Sequence, residues 1–100
     1  MNIIIKPSNK PDKKFTAIID NKTSVHFGGI KENGNPYSDY TQHKNDEIKN
    51  RFLERHKKDH YKNPLYPSFY STNLLWNKKT LSESIKDTNN KYNVNIKLMK

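Results

Sequence analysis

The segment from Lys14 to Phe27 constrains the fold more than any other. Two β-rich runs, Lys14 to Ile19 and Thr23 to Phe27, flank the turn-forming residues Asp20-Asn21-Lys22. Phe15, Ala17 and Ile19 share one face at a period of two, as do Val25 and Phe27, so the pair reads as a hairpin with one apolar side. A lone hairpin is marginal in water, and helices or further strands must dock on that side. Two segments offer strands: Ile3-Ile4-Ile5, stopped by Pro7 and Pro11 and read as an edge or first strand, and the alternating Val94-Asn95-Ile96-Lys97-Leu98.

Between them the pattern turns helical. Asn45-Asp46-Glu47 supplies a cap and first-turn acids for a helix running to about Lys58, and Pro64 and Pro67 forbid its continuation. Phe69 to Trp76 reads as a second, short helix. Thr80-Leu81-Ser82-Glu83 matches a capping box opening a third, with Leu81, Ile85 and Tyr92 near one face. The predicted architecture is one α+β domain, a small sheet packed on about three helices. It assigns strand and hairpin to 1–29, a surface loop to 30–36, the helical part to 37–92 and a terminal strand to 93–100.

Such a core has to be thin. Only 31% of the 100 residues are hydrophobic, and the eleven aromatics must carry much of the burial. There is no cysteine, hence no disulfide framework, and no apolar run approaches the roughly 20 residues of a membrane span, so no membrane partner is expected. The net charge of +9 points to a polyanionic partner. Seventeen of the nineteen basic residues are lysine and fourteen residues are asparagine, a usage that A/T-rich codons also produce, but codon bias does not explain the excess over Asp and Glu. The charge is spread over the chain rather than held in a tail.

At 100° per residue, Arg51, Arg55, Lys58 and Lys62 fall within about 60° of arc on the central helix, beside the packing face of Ile48, Phe52 and His56. With Lys44 and Lys49 they form the candidate nucleic-acid-binding set. The competing reading is a solvated face diluted by Glu54 and Asp59. Because only two of these cations are arginines, binding should be mostly to backbone phosphates and poorly sequence-specific. The pairs His56/His60 and Asp39/His43 have helical spacing but no third ligand in a recognisable frame, so no metal or other cofactor is expected. G-x-S-x-G, P-loop and G-x-G-x-x-G motifs are absent, and no enzyme is expected. Tyr37, Tyr40, Phe69, Tyr70 and Trp76 offer stacking surfaces for bases, against the simpler role of core residues. Leu74, Leu75 and Trp76 must be buried, inside the protomer or in an interface between two copies, so a homodimer is also expected.

The segments His26-Phe27-Gly28, Tyr37-Ser38-Asp39-Tyr40-Thr41, His43-Lys44, Arg55-His56-Lys57, Ser71, Leu74-Leu75-Trp76-Asn77-Lys78 and Thr80-Leu81 with Ser84-Ile85 resemble a family of small basic proteins of unknown function. Its members are encoded by large and giant double-stranded DNA viruses of eukaryotes. The similarity covers about residues 6–92. Asn45-Asp46 stands where Asp-Pro is usual, which keeps a helix start, and Pro67-Ser68 replaces a small-Gly pair before Phe69. The resemblance supplies no catalytic residue. It implies a viral protein of the virion and of the infected cell's cytoplasm or viral factory, with the host nucleus a further site, and viral DNA as the obvious polyanion. The resulting expectation is a non-enzymatic, virion-associated protein that binds nucleic acid through charge. A structural or interaction module contacting a virion or host protein is the alternative, and a nuclease-like enzyme a distant third.

Overall fold

The computed structural model describes residues 1–30 and 39–99. The expected loop beyond residue 30, and with it Tyr37 and Ser38, lies outside the described residues. β1 (Asn2–Pro7), β2 (Lys13–Ile19), β3 (Thr23–Gly29) and β4 (Asn95–Leu98) form one mixed sheet in the order β3-β2-β1-β4. The hairpin pairs Phe15 with Phe27 and Ala17 with Val25. Its turn carries positive φ at Asp20 and Asn21, and the Lys22 N–H donates to the Ile19 carbonyl at 3.0 Å. That is the mirror-image turn that matches strand twist, and Asp and Asn tolerate it better than most residues. β1 is not an edge strand: it lies between β2, antiparallel, and β4, parallel. Pro7 is its last residue, where a missing N–H does not interrupt the ladder.

The α+β architecture is as the sequence implies. Ile3, Ile5, Ala17, Ile19, Val25, Phe27 and Ile96 give the sheet its buried face. Against it lies α3 (Pro67–Tyr70), which runs into a π-helical turn, Ser71–Leu75, and contributes Phe69, Tyr70, Leu74 and Leu75 to the same core. The widened turn has a local cause. The Asn73 side-chain amide donates to the Phe69 carbonyl at 2.8 Å, taking the acceptor an α-helix would offer to residue 73's own N–H, and the Trp76 N–H reaches back to Ser71 at 3.1 Å. α4 (Leu81–Tyr92) packs behind this turn and ends at Asn93, whose φ is 53°. Leu81, Ile85 and Tyr92 only partly bury. The residues of α4 in full contact are Ser84 and Thr88, small enough for close approach, with the Thr88 hydroxyl shared between the Asn73 and Ser84 carbonyls at 3.1 and 2.7 Å.

Leu74 and Leu75 are therefore spent inside the protomer, at 0% and 3% exposure, and are unavailable as interface residues between copies; Trp76 is half-buried. Tyr70 is fully enclosed as well, stacked on Phe27 at 5.2 Å, and its hydroxyl has no hydrogen-bond partner among the described residues. Burial pushes that phenol far above its ordinary pKa of 10.0. Tyr70→Phe is expected to raise the unfolding free energy by about 1 kcal/mol, because it removes an uncompensated polar group and leaves the ring packing intact. A urea midpoint equal to or below the wild type's would contradict this.

Candidate functional site

Asp39 joins the helical part to the sheet. Its Oδ1 accepts from the Thr41 N–H at 2.9 Å and from the Thr41 hydroxyl, its own N–H donates to Gln42 Oε1 at 3.1 Å, and the Asp39 and Gln42 side chains together make a capping box on α1 (Tyr40–His43). Oδ2 receives Lys14 Nζ from β2 at 2.7 Å, both side chains being largely buried. Lys14 reaches Asp39 across Gly28. At Gly28 φ is +80°, and an added Cβ would lie 3.0 Å from Lys14 Cβ, so both backbone and space call for glycine. Asp39 and His43 thus form no ligand pair. His43 turns to Trp76, with ring centroids 5.2 Å apart, and its Nδ1 accepts the Asn45 N–H at 2.9 Å.

Asn45 caps α2 (Asp46–Arg55) through bonds from the Glu47 and Ile48 N–H groups. No residue of α2 is buried, and Ile48 is exposed rather than packed on the hairpin. The helix's main aromatic contact is one ring. Phe52 stacks on Trp76 at 4.2 Å with planes 4° apart, and on its other side meets His56 at 4.3 Å. The helix stops at Arg55, because His56 leaves helical geometry and its Nδ1 bonds Asp59 Oδ2 at 2.6 Å, three residues on. His60 is separately stacked on Tyr66 at 4.3 Å, and among the described residues no three acidic or histidine side chains gather as metal ligands would.

These facts redraw the basic stripe. Arg51 and Arg55 share a face of α2, are exposed, and make no ion pair among the described residues. Lys58 and Lys62 are exposed too, but they follow the helix, so its periodicity does not align them with the arginines. Lys44 caps α1 in the left-handed region and donates to the Thr41 carbonyl at 3.0 Å. Lys49 is a brace rather than a free cation: its ammonium donates to the Asn77 carbonyl at 2.5 Å and lies 4.7 Å from the Tyr40 ring centroid. Among the aromatics proposed for stacking, Tyr40, Phe69 and Tyr70 are core residues.

His56, Thr72 and Trp76 line two clefts. The larger, about 470 Å³, runs between β3 and α2 and is charge-balanced, with Lys14 and Arg55 opposed by Asp39 and Asp59. The smaller, about 310 Å³, is bordered by Lys49, Lys57 and Lys91 with Tyr61, Asn73 and Asn77, and no carboxylate among the described residues lines it. Lys57 and Lys91 were not among the residues expected from the sequence. They come from α2's C-terminal flank and the last turn of α4, and only the packing of the chain between them brings them together.

No curated protein and no solved structure matches the chain. A family of unknown function, DUF5754, matches over residues 3–56, a span that takes in the sheet's first three strands, α1 and α2 but stops short of the π turn and α4. That match covers more than half of the sequence, and the chain belongs to this family.

Proposed function

We propose that the protein binds nucleic acid non-enzymatically, mainly through backbone phosphates and with little sequence preference, and that it does so as a virion-associated protein of a large DNA virus, in the particle or the viral factory. The observation that carries this reading is the concentration of cations on the helical side. Arg51, Arg55, Lys57, Lys58 and Lys62 are exposed within twelve residues, beside a cleft lined by three lysines and, among the described residues, no acid. The viral setting rests on the sequence resemblance alone. Fluorescence anisotropy with random duplex and single-stranded oligonucleotides at 50 mM salt tests the reading. Binding to both is expected, and the triple reversal Arg51→Glu, Arg55→Glu, Lys58→Glu should weaken it at least about tenfold on every sequence while leaving the circular dichroism unchanged. Absence of binding at 50 mM salt would reject it and favour the interaction module, for which the adjacent exposed Leu65 and Tyr66 are the contact to test.

A further inference from the structure

We infer that the smaller cleft is a nucleotide phosphomonoester site, in which Lys57 and Lys91 hold the phosphate and the Thr72 hydroxyl donates to it. The inference deepens the nucleic-acid reading where the phosphate is a strand end, and is separable from it where the nucleotide is free.

The charges come first. Of the three lysines bordering the cleft, Lys49 is committed to the Asn77 carbonyl, where it fixes the wall rather than the ligand. Lys57 pairs with Glu54 at 2.7 Å, but the two side chains are 62% and 72% exposed, and so open a pair exchanges readily for a stronger anion. Lys91 Nζ lies 5.7 Å from the Tyr92 ring centroid and has no ion pair among the described residues. Lys62, 5.7 Å from the Tyr61 ring centroid, adds to the positive field on that rim. Asp87, outside the lining, accepts from the Asn77 side-chain amide at 2.8 Å.

The second observation is a hydrogen-bonding group without a partner. The Thr72 side chain lines both clefts, and its Oγ1 is buried and makes no hydrogen bond among the described residues. Leaving a buried hydroxyl unpaired is costly, so a ligand acceptor there has a place waiting.

These donors discriminate between kinds of phosphate. A monoester carries a charge of about −1.5 to −2 at neutral pH and three acceptor oxygens, enough for two ammonium groups and a hydroxyl together. A backbone diester carries one charge and two free oxygens. A volume of about 310 Å³ is at the small end of ligand sites, suited to one nucleotide and not to a duplex, with the Tyr61 and Trp76 rings offering apolar wall to a sugar or base.

Trp76 is the single tryptophan and lines the cleft, so its emission reports on occupancy, with calorimetry as a second reading of affinity. AMP is expected to saturate the full chain at 50 mM salt, with adenosine at least tenfold weaker. The double variant Lys57→Gln, Lys91→Gln should bind AMP at least tenfold more weakly, and Thr72→Val severalfold more weakly, while Lys97→Gln, on β4 and outside the lining, leaves AMP unaffected. A ten-nucleotide thymidine strand with and without a 5′-phosphate then separates the sources: a severalfold preference for the phosphorylated strand assigns the site to strand ends, and equal binding alongside tight AMP assigns it to free nucleotides. Adenosine matching AMP, AMP failing to bind by either measurement, or the double variant binding AMP like the wild type would overturn the inference. Long oligonucleotides binding while AMP does not would sink this site alone, whereas the converse would sink only the nucleic-acid reading.

Discussion

Between 50 and 200 mM salt, affinity for a random-sequence duplex is expected to fall on the order of 500-fold. The figure follows from the exposed cations of residues 51–62. Arg51, Arg55, Lys57, Lys58 and Lys62 can neutralise about five phosphates, each released counterion adds about −0.9 to the log-log slope, and a slope near −4.5 over a fourfold change in salt gives that loss. Lys49 does not enter the count, because its ammonium is already bonded to Asn77 within the fold. The triple reversal at Arg51, Arg55 and Lys58 should flatten the slope by at least about 2.7, in step with the contacts it removes. Anisotropy titrations at four or five salt concentrations measure both slopes. A wild-type slope shallower than about −2 would mean that these cations do not meet the backbone together, and an unchanged slope in the variant would move the contact to another surface.

What the sequence reveals of this fold follows the range of the interactions involved. The hairpin was legible because its determinants are local: alternation in Phe15-Ala17-Ile19 and Val25-Phe27, and a turn of residues that tolerate positive φ. The place of β1 was not, since Pro7 suggests an edge until the parallel pairing of Ile3 with Ile96, contributed from the far end of the chain, puts β1 inside the sheet. The buried face of α4 was hidden for another reason. An apolar periodicity draws attention to Leu81 and Ile85, whereas close packing against the π turn selects Ser84 and Thr88 for their size. The candidate site fails at the same boundary. The end of α2 depends on a side-chain bond between His56 and Asp59 that no glycine or proline announces, and the placing of Lys57 and Lys91 on one cleft depends on tertiary packing. Charge was visible in the sequence, but its convergence was not.

Asp39→Ala is expected to destabilise the protein by about 3–5 kcal/mol, a large share of the 5–15 kcal/mol that holds a typical domain together. Two losses coincide at this residue. The substitution removes the acceptor that caps α1, worth about 1 kcal/mol, and the partner of the Lys14 ammonium, whose side chain is only 11% exposed and cannot simply turn to water. That ion pair, beside the 3.3 Å bond from Lys14 to Gln42 Oε1, ties β2 to α1 where Gly28 leaves room for the Lys14 side chain. Asp39→Asn separates these terms, because the amide keeps a cap acceptor and loses the charge, so it should cost less than the alanine and more than the cap alone. Lys14→Met completes a double-mutant cycle. Each single change should be strongly destabilising while the pair is much less so than their sum, since removing both charges leaves neither buried alone. Urea denaturation of the four proteins measures the cycle. A loss below about 1 kcal/mol for Asp39→Ala, or additive single effects, would show that the Lys14–Asp39 bridge is not a major tie between the sheet and the helical part.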